Sequence, residues 1–330
     1  MTTLRIGVLG AARIAPAALI RPARHVHGVK VVAVAARDPE RARAFAGKHH
    51  IDRTLGTYAE LVTDPDIDAV YNPLPNGLHG RWTRAAIAAG KHVLCEKPFT
   101  ADADEARAVA RDAAGTGLVV MEAFHYRYHP LSARLEQIVG GGELGKVGRI
   151  DIQFSAPLAK RGDIRYRLDL AGGAQMDMGC YTVSLLRLLA GREPTVVRAR
   201  AKLSSPGVDR AMRADYELPG GGTARTRCSM FSSSLLRMHA VVTGENGELR
   251  VFNPFAPQFV HRLTVRTNGV RRVEHVSREP TYNFQLRAFA DAVNGGPPVL
   301  TPPEDAIKNM AIIDDIYRAA GLEPRRPSAA

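Results

Sequence analysis

Two stretches near the start of the chain carry residue types that could hold a phosphorylated cofactor. Gly10-Ala11-Ala12-Arg13-Ile14-Ala15 matches the dinucleotide fingerprint G-x-G-x-x-G/A at its first and last positions. Gly10 permits a tight turn and Ala15 is small enough for close helix–strand packing. Ala12 puts one methyl where the backbone should approach a pyrophosphate. The amides that follow, those of Arg13 and Ile14 included, would face the diphosphate from a helix N-terminus. At the end of the next apolar run stands Ala36-Arg37, where an acidic residue would accept the ribose 2′-hydroxyl of NAD. Arg37 can instead pair bidentately with a 2′-phosphate, and Arg41 lies one helical turn further on. NADP is therefore favoured over NAD. The plainer alternative is that Arg37 caps an exposed loop.

Three other residues could move a proton. Asp177 and Tyr181 are spaced i, i+4, so on a helix starting near Asp177 they share one face. A close ammonium lowers a phenol's pKa by about 1–3 units, toward the range useful in proton transfer. Lys97 could supply that ammonium; buried, its own pKa would fall and it becomes an alternative base. The residue types leave the proton acceptor open between Tyr181 and Lys97. These two are 84 positions apart and would meet only if a second domain folds over the first. His125 and His129 have the spacing of a helical metal pair. However, Pro130 disfavours helix at His129 and no nearby carboxylate or thiolate completes a site, so no metal is expected.

The elements that must position these residues alternate. Arg5–Gly10, Val29–Ala36, Asp68–Asn72, His92–Cys95 and Leu118–Met121 are short apolar runs, with a further short strand near Thr54–Thr57. Helical stretches at Pro39–His49, Gly80–Ala89 and Ala101–Ala114 separate them. Continuously apolar strands alternating with helices predict a doubly wound parallel sheet covered on both faces, with ligands at the carboxyl ends of its strands. Lys97 lies at such an end. After about His125 the period changes to two: Met212, Ala214, Tyr216 and Leu218 alternate with Arg213, Asp215 and Glu217. Gly220-Gly221-Gly222 and Glu245-Asn246-Gly247 read as turns. With strands at Gly148–Ser155, Val196–Leu203, Thr223–Phe231, Arg237–Thr243 and Val260–Thr267, the second half is an α+β domain with a large, mostly antiparallel sheet. The expected division is 1–124, dinucleotide-binding, and 125–330, substrate-binding and oligomerisation. The closing helix, about 303–320, is a candidate to pack back on the first domain, and Arg325 onward is expected to fray.

Four loops together resemble one known family. Beside the N-terminal fingerprint they are Pro75-Asn76-Gly77-Leu78-His79, Glu96-Lys97-Pro98 and Gly172-Gly173-Ala174-Gln175-Met176-Asp177-Met178-Gly179-Cys180-Tyr181. Met121-Glu122-Ala123-Phe124, Arg127, His129-Pro130 and Gly162-Asp163-Ile164-Arg165-Tyr166 extend the likeness over nearly the whole chain. The sequence is similar to the Gfo/Idh/MocA oxidoreductases, nearest their glucose–fructose oxidoreductase, NADP-xylose dehydrogenase and dimeric dihydrodiol dehydrogenase branch. The resemblance implies a Rossmann domain, Lys97 in catalysis, Asp177 and Tyr181 facing substrate, and a cis peptide before Pro98. It also implies cofactor contacts from Pro75, Asn76, His79, Glu96 and Lys97; His79 is equally readable as a helix-start residue. Many members end the D-x-G-x-x segment in histidine, so Tyr181 favours the branch named. Arg127, Arg165 and Tyr166 are substrate candidates, the two arginines equally readable as bridges between domains.

Composition bounds the rest. The chain has 330 residues and a net charge of +12, from 45 Lys and Arg against 33 Asp and Glu. Only eight of the cations are lysine, and the longest basic runs are pairs interleaved with acids, which argues against nucleic acid. No apolar run approaches the roughly 18 residues needed to span a bilayer. Cys95, Cys180 and Cys228 lie far apart, fitting a reducing compartment, and the early first strand leaves no room for a signal peptide, so a cytoplasmic location is expected. Together these readings predict an NADP-dependent oxidoreductase moving hydride to or from a hydroxyl-bearing carbon of a sugar, polyol or vicinal diol. A homodimer through the C-terminal sheet is expected from the resemblance. The alternatives are a ketoreductase for nucleotide-linked sugars and a non-catalytic NADP-binding redox sensor, which would have no need for Lys97, Asp177 and Tyr181 together.

Overall fold

The run LRIGVL forms β1 (Leu4–Leu9), whose Leu4, Ile6, Val8 and Leu9 are all buried. β2 (Val29–Ala35), β3 (Arg53–Leu55), β4 (Ala69–Asn72), β5 (His92–Cys95) and β6 (Val120–Glu122) join it in a six-stranded sheet of order β3-β2-β1-β4-β5-β6. Every pairing in it is parallel. The strand order reverses beside β1, which is where such sheets leave a crevice at their carboxyl ends. The crossovers are α1 (Arg21–Ala23), reached through a π-helical turn at Pro16–Ile20, then α2 (Pro39–His49), α3 (Tyr58–Thr63), α4 (His79–Ala88) and α5 (Ala103–Ala113). Asp38 starts α2 by accepting from Glu40 N at 2.9 Å, and Asp102 starts α5 by accepting from Glu105 N at 2.8 Å.

The second half supplies α6 (Pro130–Gly140), β7 (Val147–Ser155), α7 (Cys180–Ala190), β8 (Thr195–Ser205), β9 (Val208–Glu217), β10 (Thr223–Ser229), β11 (Arg237–Gly244), β12 (Gly247–Phe252), β13 (Arg262–Thr267) and β14 (Val270–Glu274). They form an eight-stranded sheet of order β14-β13-β12-β11-β7-β10-β9-β8. All its pairings are antiparallel except that of β7 with β10, which is parallel. The period-two pattern is realised as read: Met212, Ala214 and Tyr216 are buried while Arg213 and Glu217 are exposed. The chain ends through α8 (Thr281–Val293) and α9 (Pro303–Ala319).

This computed structural model describes residues 3–158, 162–231 and 236–329. They separate into two compact units, neither contiguous in sequence. The first takes Met1–His125, Tyr282–Ile307 and Pro327–Ala330; the second takes Tyr126–Thr281 and Lys308–Arg326. The segment after α9 does not fray at Arg325. That side chain is 2% exposed and bonded to Asp209 and Gly172, because a buried carboxylate and a carbonyl are both available to its guanidinium. Further on, Ser328 N donates to Gly77 O at 2.7 Å.

Candidate active site

In the first unit, the loop after β1 turns at Gly10, whose φ of +87° favours glycine and whose amide donates to Ala35 O at 2.6 Å. Ala15 packs with no exposure, as its small size predicts, while Arg13 and Ile14 are left at the surface of the turn and Ala12 half-buried. Arg37 and Arg41 are both exposed, and Arg41 reaches Ala11 O at 3.4 Å, so α2 aims it at the fingerprint loop. The half-buried Tyr58 hydroxyl lies beside both arginines; burial raises its pKa while they pull it down. Trp82 meets the Tyr58 ring edge-on at 5.1 Å, and Arg81 covers Trp82. Sequence reading missed this cluster, although Trp82 is the chain's one tryptophan. The glycine turn and two exposed guanidiniums fit a dinucleotide bearing a 2′-phosphate.

Lys97 follows β5, half-buried, with a cis peptide to Pro98. The backbone around it is gripped from several sides. Glu96 Oε1 accepts from the Tyr71 hydroxyl at 2.8 Å, and Lys97 N faces Glu96 Oε2 at 3.4 Å. Phe99 N donates to Glu122 Oε1 at 2.9 Å, and Ala101 N to Glu105 Oε2 at 2.9 Å. His79 is 1% exposed at the start of α4, with ring nitrogens 2.7 Å from Pro98 O and from Leu74 O. Burial lowers its pKa to about 4, against the pull of the two carbonyls, and the ring wedges the Pro75–His79 loop against the Lys97 loop. Pro75 and Asn76 are half-buried at the other end of that loop. Tyr282, at the start of α8, meets the His125 ring at 4.2 Å with the planes tilted by 39°; burial, with Glu96 nearby, pushes its pKa up. No local pattern signals Tyr282, since α8 is distant in sequence.

In the second unit, Asp177 sits in a π-helical turn, Gln175–Gly179, that runs straight into α7, on which Tyr181 is the second residue. The helix thus begins two residues before the position the spacing suggests. Arg165 Nε lies 2.9 Å from Asp177 Oδ2, and its Nη1 is 3.1 Å from Asp163 Oδ1. Arg165's pKa is raised, chiefly by Asp177. The side chain offered as a substrate contact or domain bridge is therefore the counter-ion of Asp177. Tyr166 donates to Leu158 O at 2.6 Å, and Arg127 is half-buried in a 3-10 turn, His125–Tyr128. Tyr181 is 7% exposed within an aromatic cluster of Tyr126, Phe154 and Phe255, at ring distances of 5.9, 5.6 and 5.4 Å. His129 caps α6 through Nδ1, which accepts from Leu131 N at 3.1 Å.

A doubly wound nucleotide-binding sheet with a lysine at a strand end, accompanied by an Asp–Tyr helix start on a large sheet, defines a two-unit oxidoreductase. Residues 4–124 match the model of an oxidoreductase family with an NAD-binding Rossmann fold, and residues 132–250 match a GFO/IDH/MocA C-terminal domain. D-xylose 1-dehydrogenase (NADP(+)) 2 of Haloferax volcanii is 39% identical over 320 residues, covering 96% of this chain and 97% of that one. Trans-1,2-dihydrobenzene-1,2-diol dehydrogenase of Macaca fascicularis is 33% identical over 228 residues, covering 68% and 67%. Among solved structures, KijD10, a 3-ketoreductase from Actinomadura kijaniata in complex with NADP and TDP-benzene, has a TM-score of 0.89. It shares 28% identity over 96% of this chain and 98% of that one. The chain belongs to the Gfo/Idh/MocA family of oxidoreductases.

Proposed function

We propose that this enzyme transfers hydride between NADP and a hydroxyl-bearing carbon of a sugar, polyol or vicinal diol. The observation that carries this reading is the conjunction of the Gly10 turn and exposed Arg37 and Arg41 in one unit with the Asp177–Tyr181 helix start in the other. The NADP-dependent xylose dehydrogenase and the dihydrodiol dehydrogenase support it. NADP, when bound, supplies or accepts the hydride. The fingerprint turn from Gly10 to Ile14 holds the diphosphate, Arg37 and Arg41 hold the 2′-phosphate, and Pro75, Asn76 and Glu96 line the cofactor. Tyr181 or Lys97 takes the proton of the reacting hydroxyl, and Asp177 holds an adjacent hydroxyl or orients the lysine. Cofactor binding is assigned to the unit built on 1–124. Substrate binding and oligomerisation go to the unit drawn from 125–330.

The test is a screen of NADP⁺ reduction across aldoses, polyols and trans-dihydrodiols, with NAD⁺ in parallel. Turnover with NADP⁺ on one of these classes is expected; a marked NAD⁺ preference overturns the assignment of Arg37. A ketoreductase for nucleotide-linked sugars is the second reading, favoured by the fold match to KijD10 with its bound TDP-benzene. Turnover confined to diphosphate-linked sugars would identify it. We also assign a homodimer to the open face of the eight-stranded sheet, where Phe252 and Val273 are 44% and 39% exposed. A monomer by sedimentation at micromolar concentration would end that assignment. Three buried cysteines, none in a disulfide, support placement in a reducing cytoplasm.

A further inference from the structure

The segment carrying Asp177 and Tyr181 is reached through two glycines that pack against a buried ion pair. Gly172 N donates to Arg167 O at 2.9 Å and Gly173 N to Arg165 O at 2.8 Å, folding the chain back on itself. A Cβ on Gly172 would stand 2.6 Å from Arg165 O. One on Gly173, whose φ is +137°, would collide with Asp209 Oδ1 and come within 2.8 Å of Arg325 Nη2. Asp209, at the start of β9, is 0% exposed and Arg325 is 2% exposed. The pair is joined at 2.7 Å, and Tyr317 of α9 adds a hydroxyl donor to Asp209 at 3.0 Å, its ring 4.1 Å beneath the guanidinium.

Both members of the pair also bind the glycine segment. Arg325 Nε donates to Gly172 O at 2.7 Å, and Asp209 Oδ2 accepts from Gln175 N at 2.7 Å. The two ends of the stretch Gly172–Gln175 are thus tied to one buried ion pair. Asp177 follows two residues later, and its counter-ion Arg165 is anchored to the same stretch through Gly173 N. Buried ion pairs contribute little net stability, because desolvating two charges offsets most of their attraction. Fixing geometry is the service such a pair renders at so specific a place.

We propose that Arg325 and Asp209 are positioning residues for the reaction: together they set where the Asp177 turn and Tyr181 stand. The proposal rests on the reading that Asp177 and Tyr181 serve the substrate. It explains why a cation from beyond the closing helix is buried 116 positions from its partner. Lysine replaces it only in part, since the planar guanidinium fork donates to the carboxylate and the carbonyl in fixed directions that an ammonium does not impose.

Three variants test it in the full-length enzyme on its best substrate: Arg325→Lys, the double Asp209→Asn/Arg325→Met and Tyr181→Phe. The double variant leaves no lone buried charge and is the one expected to keep the fold, as read by circular dichroism and Tm. Misplacing catalytic groups by about 1 Å can cost about 100-fold. The expectation is a kcat lowered by about 10–100-fold in the double variant and less in Arg325→Lys, with the KM for NADP unchanged. The kcat pH profile should shift in both, which a purely structural loss would not produce. A folded double variant with kcat and pH profile within twofold of the parent overturns the proposal. If neither Arg325 variant folds, the pair is a folding element and the proposal also fails. Tyr181→Phe separates the two readings. If its kcat is unchanged, the assignment of Tyr181 is what has failed; if it falls while the double variant's does not, only the positioning role is lost.

Discussion

Lys97 follows the end of β5 and Asp177 follows a glycine reversal, and the segments that carry them are braced by different kinds of partner. Around Lys97 the bonds fall on the backbone and its neighbours: Glu96 is fixed by Tyr71, Pro98 O meets His79, and Phe99 N is held by Glu122. Those partners are buried. Asp177 is fixed at its carboxylate, by the Arg165 guanidinium at 2.9 Å, and that arginine is shared with Asp163. A group that orients a substrate hydroxyl is best fixed at its oxygens, in one ionisation state. On the function proposed above, proton transfer falls to Lys97 or Tyr181, and Asp177 holds an adjacent hydroxyl or orients the lysine.

The strongest way to break this comparison is Lys97→Met. Loss of a proton-transfer group costs about 10²–10⁴-fold in kcat, and NADP binding followed by fluorescence quenching should persist. Near-parental kcat would remove Lys97 from the chemistry. Arg165→Gln comes next. It removes the Arg165 guanidinium from Asp177, and kcat/KM should fall by about 10–100-fold, as expected for one charge-assisted hydrogen bond of about 1.5–3 kcal/mol. Arg165→Lys should recover part of the loss, and equal losses in the two would show that charge is not what Arg165 provides. Arg37→Ala is smaller in consequence. The KM for NADP should rise by about tenfold with that for NAD hardly changed. An equal rise for both cofactors would return Arg37 to the status of a loop cap.

The parallel sheet was legible because its central strands β1, β4 and β5 are largely buried and so read as short apolar runs. The large sheet was legible where alternation was strict, as in β9. It was not in β14, whose VRRVE pairs Arg271 with Arg266 at the sheet's edge and buries little. Helices α6 and α8 went unread because their apolar stripes are shared with serine, asparagine and glutamine that only tertiary packing buries, as at Ser132 and Asn283. Gln285 in α8 is 0% exposed. For the candidate site, residue types and loop positions were readable, and partners were not. The Arg165–Asp177 pair needs the glycine reversal to bring it together, and Arg325 was assigned to a fraying end because nothing local to it announces a carboxylate on β9.

The smallest effect sharpens the Lys97 side. Glu105 of α5 holds Ala101 N, four residues beyond Lys97, and its carboxyl packs so closely against Gly80 that a Cβ there would collide. Burial raises the Glu105 pKa from 4.5 to about 7. A carboxyl whose pKa is higher in the folded than in the unfolded state keeps its proton longer when folded. Stability from this group is therefore full below about pH 4.5, lost as pH rises to about 7, and constant beyond. Glu105→Gln removes that loss while its amide oxygen can still accept from Ala101 N. Its Tm should exceed the parent's by a few degrees at pH 8, with the gain gone at pH 4.5. Arg165→Gln, acting on an arginine that stays charged throughout, should show no comparable change of its Tm difference over the same window. A Glu105→Gln gain equal at both pH values would mean that the Lys97 loop rests on packing alone, and the distinction between the two braces would then be one of geometry and not of charge.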